Sequence, residues 1–168
     1  MDIEIRAADP SEYATIGEIT AQAYLLDGLL TFGESDWYLG ELRDVAKRAA
    51  TADVLVATLG GEPVGTVTYV SPSGGLMAER ARPGEAEIRM LAVAQAARGR
   101  GAGEALVRAC VDRARATENC TGMVLSTQPV MYAAHRIYER LGFVRAPERD
   151  WKPIPGDDFT LVTYELTL

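Results

Sequence analysis

The chain has 168 residues, 48% hydrophobic and 24% charged, with a net charge of −7, as expected of one folded domain with its own core. The acidic surplus argues against a nucleic-acid partner, which favours a basic face. One histidine, His135, and two cysteines, Cys110 and Cys120, are too few for a His-rich metal centre, a zinc site or a disulfide framework.

No apolar run follows Met1-Asp2-Ile3-Glu4, so neither a signal peptide nor a membrane span is expected, and cytoplasmic residence is the default. Residues 3 to 6 alternate as a half-buried strand does. Asp9 or Ser11 can cap a helix over about 11–26, with Tyr13, Ile16, Ile19, Ala23 and Leu26 as its apolar face and Thr20 alongside. After a loop with Gly28 and Gly33, the stripe Leu39, Leu42, Val45, Ala46 and Ala49 predicts one helix over 36–50. Residues 53–59 and 64–70 form a hairpin around Gly60-Gly61-Glu62-Pro63, and a Pro- and Gly-rich loop follows to Gly84.

The informative stretch is 87–103, EIRMLAVAQAARGRGAG. An apolar strand, 88–93, leads through small residues to Arg98-Gly99-Arg100-Gly101-Ala102-Gly103, and a helix follows over 104–117. Glycines without Cβ atoms let backbone N–H groups approach an anion, and the first helical turn has N–H groups to spare. No lysine follows the glycines, so this is not a Walker A loop; the spacing G-x-G-x-G is not the dinucleotide G-x-G-x-x-G. Arg98 and Arg100 flank the glycines, which suits a polyanionic ligand within an acidic protein. The rest of the chain reads as a strand at 123–126, a helix from Pro129 to about Leu141 stopped by Gly142, a strand at Phe143-Val144, a long loop over 147–158 and a last strand at 159–166. Hairpins mixed with strand–helix–strand crossovers imply an α/β fold with a mixed central sheet covered by helices.

R-G-x-G-x-G after a strand ending in L-A-V resembles the acetyl-coenzyme A loop of the GCN5-related N-acetyltransferase (GNAT) family, Q/R-x-x-G-x-G/A. Ala134 to Phe143 is similar to that family's second signature, A-x-x-x-Y-x-x-x-G-F. The element order matches the family over nearly the whole chain. One residue departs from the pattern: Met131 stands where many relatives have an asparagine. The resemblance implies a single GNAT-fold domain over 1–168, with about seven strands in a mixed sheet and about four helices.

It also implies acetyl transfer from acetyl-coenzyme A to a primary amine of a small molecule or peptide, by direct attack and without a metal. Tyr138 would then be the general acid, and the backbone of Leu91, Ala92 and Val93 would meet the pantetheine arm. Arg98, Gly99, Arg100, Gly101, Ala102 and Gly103 would hold the pyrophosphate, with Ala134 beside them. Glu87 resembles the glutamate that serves as base in histone-type members; from the residues alone it could equally pair with Arg89 or face solvent. The acceptor region of relatives corresponds to stretches holding Tyr24, Asp27 and Trp37, and a homodimer is a family-level expectation. Two rival classes are a silent coenzyme A-binding sensor and a nucleotide-binding domain using the same loop.

Overall fold

The computed structural model describes residues 2–168. Seven strands form one sheet in the order β1-β2-β3-β4-β5-β7-β6. They are β1 (Ile3–Ala7), β2 (Asp53–Leu59), β3 (Glu62–Val70), β4 (Glu85–Val93), β5 (Gly122–Thr127), β6 (Val144–Arg145) and β7 (Val162–Thr167). Every neighbouring pair is antiparallel except β4–β5, which is parallel because helix α4 (Ala102–Ala116) crosses over between them. The mixed seven-stranded sheet expected from the sequence is therefore what forms.

The alternation of strand side chains divides the core in two. Leu55, Ala57, Val67, Tyr69, Ala86, Ile88, Met123 and Leu125 face α4 and helix α5 (Tyr132–Arg140), meeting Leu106, Val107, Cys110 and Tyr138. Val54 and Val56 face the other way, toward Ile16 of helix α1 (Tyr13–Leu26) and Val45 of helix α3 (Val45–Thr51). Val70 and Met90 join Ala21, Leu39 and Leu42 on this second face. Gly17 lets α1 lie against helix α2 (Tyr38–Arg43), since a Cβ there would stand 2.6 Å from the Arg43 carbonyl oxygen.

Several boundaries differ from the sequence reading. The single helix expected over 36–50 is two, α2 and α3, broken at Asp44 (φ −87°, ψ 70°). The Asp44 carboxylate accepts the Lys47 N–H (3.1 Å), so local capping chemistry interrupts an otherwise continuous apolar stripe. Leu26, assigned to the buried face of α1, is 57% exposed; the buried face is Ile16, Gly17, Thr20, Ala21 and Ala23. Helix α5 begins at Tyr132 because the Met131 N–H closes a turn on the Gln128 carbonyl. The last strand starts at Val162, since Phe159 N–H is bound to the Asp157 carboxylate (2.7 Å). Strand β4 starts three residues before the apolar run, at Glu85. Among the described residues no helix is long and apolar enough to cross a membrane.

Candidate active site

The site begins where the two parallel strands part. β4 and β5 pair only over Glu85–Ile88 with Gly122–Leu125. Beyond Ile88, β4 stays paired with β3 on one edge while its other edge has no strand partner. Met90 has φ +56°, and the β3–β4 register shifts beside it. This bulge sends the Met90 side chain into the α1–α2 core and turns Leu91 into the opening. A left-handed non-glycine residue costs on the order of 1–2 kcal/mol. Burial of the Met90 side chain, 7% exposed, compensates it.

After Val93 a 3₁₀ turn at Gln95–Ala97 leads into the glycine loop. Gly99 and Gly101 have φ of +81° and +84°, and a Cβ on either would meet no protein atom within 4 Å. Their requirement is backbone conformation and an open approach, not tight protein contact. At Gly103 the reason is different: a Cβ would sit 3.1 Å from Ile137 Cδ1, where α4 meets α5. The first bond into α4 runs from Ala105 N–H to the Gly101 carbonyl. The N–H groups of Ala102, Gly103 and Glu104 thus have no intrahelical acceptor and lie at the positive end of a 15-residue helix.

These elements wall a cleft of about 680 Å³. Its floor is Leu91, Ala92 and Val93, and one side is Ala97 to Gly99 with Gly101 to Glu104. The opposite side is the start of α5, and Tyr24 and Asp27 close one end. Open N–H groups at the glycine loop and an unpaired strand edge beside it fit a long ligand with an anionic end and an amide-bearing arm.

The sequence candidates divide accordingly. Leu91, Ala92, Val93, Arg98, Gly99, Gly101, Ala102, Gly103 and Ala134 all line the cleft, as do Tyr24 and Asp27. Arg100 is exposed and stands outside the lining. Arg98 is held by a two-pronged ion pair to Asp27, both N–O distances 2.8 Å, which ties the glycine loop to the end of α1. Asp27 is thus committed to Arg98. Trp37 is 67% exposed, set edge-on against Tyr38. Met131 occupies the N-cap of α5, where its thioether supplies no capping bond.

Tyr138 is 4% exposed, between the rings of Phe143 and Tyr164. Among the described residues its hydroxyl has no hydrogen-bond partner. Burial pushes its pKa well above the usual tyrosine value, with Cys110 and Tyr164 adding to the shift, so the proton stays on. Burial likewise raises the Tyr24 hydroxyl and pushes the Cys110 thiol up to about 12. His135 sits on α5 with Nε2 donating to the Gln128 carbonyl (3.0 Å), and burial lowers its pKa.

Glu87 is 1% exposed and outside the cleft lining. Its Oε1 accepts the backbone N–H groups of Glu79 (2.9 Å), Arg80 (3.1 Å) and Ala81 (3.2 Å). It anchors the loop that precedes β4.

Two groups of residues escaped the sequence reading. Arg136 and Arg140 line the rim of the cleft one helical turn apart, with Arg140 bound to Glu104 (2.7 Å). Their spacing around Tyr138 was visible, but not the direction they face. The other group is Arg89, Glu79 and Tyr38, joined from three separate segments.

Comparison with known proteins agrees with this geometry. The Acetyltransferase (GNAT) family profile matches residues 21–143. The N-acetylaspartate synthetase of Danio rerio is 36% identical over 101 residues, which are 60% of this chain and 33% of that protein, so the chain spans about a third of that relative's length. Among solved structures, yncA of Salmonella typhimurium with its cofactor acetyl-CoA superposes with a TM-score of 0.71 at 22% identity, covering 99% of this chain and 94% of that one. The ribosomal-protein-alanine N-acetyltransferase of Brucella melitensis gives 0.72 at 20% identity, over 98% of this chain and 99% of that one. At such identities these two structures speak for the fold.

Proposed function

Because this chain belongs to the GNAT family of acetyltransferases, we propose that it moves an acetyl group from acetyl-coenzyme A to a primary amine by direct attack. The observation that carries this reading is the parting of β4 from β5 directly before a glycine loop and helix start. It leaves an open strand edge and an anion cradle along one cleft. Acetyl-coenzyme A supplies an activated thioester; the chain must bind it, orient it and manage charge.

The N–H groups of Ala102, Gly103 and Glu104, with the open approach at Gly99 and Gly101, are assigned to the pyrophosphate. Arg136 and Arg140 at the rim add positive charge for the remaining phosphate. The free edge of β4 from Leu91 to Val93 is assigned to the pantetheine amides and to the carbonyl oxygen as negative charge develops there. Tyr138 is the proton-bearing group assigned to the departing sulfur. A free thiol has a pKa of about 8.5, so the leaving sulfur gains from a donor. A tyrosine whose pKa is raised by burial acts as a hydrogen-bond donor to that developing charge.

The amine also needs a proton acceptor, since an alkyl ammonium with a pKa of about 10.4 is only about one part in 2,500 neutral at pH 7. Glu87 was the candidate from the sequence. Its role as base would run through a water; its carboxylate already accepts three N–H groups, which supports a role in fixing the 79–81 loop.

The test is release of coenzyme A, followed with a thiol reagent, across a panel of amines, amino acids and peptides. Amine-dependent release is expected. Tight acetyl-coenzyme A binding without release for any amine would favour a silent binding module instead. Competition by ATP or NAD as strong as by coenzyme A would favour a nucleotide-binding domain.

A further inference from the structure

We infer that the acceptor is a free α-amino acid, its carboxylate read by Arg89 and its ammonium by Glu79. This rests on the acetyl-transfer reading and names the substrate class of the same site. Coenzyme A, assigned to the cleft between the starts of α4 and α5 with Tyr24 and Asp27 at one end, leaves the Glu79–Arg89 side of the β4–β5 fork for the acceptor. Arg89 and Ser126 are the first residues beyond the last β4–β5 pair, Ile88 with Leu125. Ile88 and Leu125 face α4, so Arg89 and Ser126 face the other way, flanking the fork where the amine must enter.

Arg89 is drawn in, its side chain 14% exposed, and it is not saturated. Nε meets Glu79 Oε1 at 3.0 Å, Nη1 donates to the Met77 carbonyl (3.2 Å), and Nη2 reaches Tyr38 Oη only at 3.4 Å. A guanidinium has five N–H groups, so capacity for a carboxylate remains. The Glu79 carboxylate is about a third exposed (35%) beside this guanidinium, so lone pairs remain for an ammonium. Tyr38 lies edge-on to Tyr24, a wall of the cofactor cleft, with ring centroids 6.3 Å apart, so the pair adjoins that cleft. On the β5 side, Trp151 Nε1 donates to Ser126 Oγ (2.9 Å), and the Arg80 guanidinium lies over the indole at 4.8 Å.

A cation and a carboxylate fixed side by side, half out of water, match a molecule carrying both opposite charges on one carbon. An ordinary amine would leave Arg89 without a new partner. A peptide N-terminus would offer it only a neutral carbonyl. Burial holds the pKa of Glu79 above the usual carboxylate value, and nearby Glu87 adds to this against the pull of Arg89. An arriving ammonium relieves both penalties.

The experiment compares amino acids with their own amides, which keep the ammonium and lose the carboxylate. Binding is measured by calorimetry on protein saturated with unacetylated coenzyme A, and acetylation is measured in parallel. Amino acids are expected to bind about ten- to a hundredfold more tightly than their amides, the range of one charge-assisted contact. Arg89→Gln should erase that ratio, amino acids losing far more affinity than their amides. Glu79→Gln should weaken both ligands. If Arg89→Gln melts early, Arg89→Lys serves, reducing the ratio while keeping the charge. Amides or peptides binding as well as amino acids, or a ratio that survives in folded Arg89→Gln, overturns the inference. Should peptides or simple amines be acetylated while amino acids neither bind nor react, the inference fails and acetyl transfer stands. If nothing is acetylated, both readings fall.

Discussion

Replacing Tyr138 with Phe separates chemistry from packing at a single atom. The ring lies in the core against Phe143 and Tyr164, so Phe keeps the shape and the apolar contact. The hydroxyl has no partner among the described residues, so its removal breaks no bond and strands no donor. Losing an unpaired hydroxyl while keeping the ring should leave stability within about 1 kcal/mol of the parent. For a chain of this length, that is a shift in melting temperature of roughly 2–4 °C or less. The rate should fall by about 10²–10⁴, equivalent to about 2.7–5.4 kcal/mol of transition-state stabilisation. Affinity for acetyl-coenzyme A should barely change, since the sulfur draws on this donor chiefly as it departs. The assays are thiol release at saturating amine, thermal melting, and titration with acetyl-coenzyme A. The parent should also show no alkaline loss of activity from this group below about pH 10, because burial raises its pKa and keeps it protonated. A folded Tyr138→Phe enzyme with undiminished turnover would refute the role.

Gly101→Glu places a side chain where φ is +84° and sets a carboxylate at the proposed phosphate cradle. Acetyl-coenzyme A binding by calorimetry should be abolished, while Gly101→Ala should cost stability by about 1–2 kcal/mol. Gly17→Ala forces a Cβ to 2.6 Å from the Arg43 carbonyl oxygen. Because the obstacle is backbone, the cost should be about 1–3 kcal/mol, read as a lower melting temperature; an unchanged melt would contradict the α1–α2 packing. Glu12 is held at about 2 instead of 4.5, first by the Arg6 guanidinium and then by the Asp9 N–H. A depressed carboxyl pKa contributes stability above about pH 4.5 that is lost as pH falls toward 2. Glu12→Gln should therefore be less stable than the parent near neutral pH, with the gap closing toward pH 2 in acid titrations.

The second half of the fold was legible because its signals are local. The apolar run into β4, the glycines at 99, 101 and 103, and the stop at Gly142 each act within a few residues. The α2–α3 break was hidden because the stripe from Leu39 to Ala49 continues through it; only the Asp44 cap interrupts. The bulge at Met90 carries no sequence mark, since a methionine gives no hint of φ +56°. The sequence left Glu87 open between a base and a paired carboxylate, because it could not show the three N–H groups that converge on it from 79–81. The same holds for Arg149, 4% exposed and clamped by Glu85 and Glu165. Its partners come from β4 and β7, and burial opposes ionisation of Glu85 until Arg149 and the Arg82 N–H hold its carboxyl below the usual range. The Arg89–Glu79–Tyr38 group is assembled in the same manner, by tertiary contact between segments that share no motif.

Transfer of an acetyl group is tested by following that group itself. Acetyl-coenzyme A labelled in the acetyl carbons is incubated with the protein and the acceptor panel, and the label is located by mass spectrometry. Label is expected on the amine nitrogen of an acceptor, formed in step with free coenzyme A and lost in parallel with turnover in Tyr138→Phe. Label recovered only as acetate, or retained on coenzyme A with every acceptor, would contradict acetyl transfer to an amine.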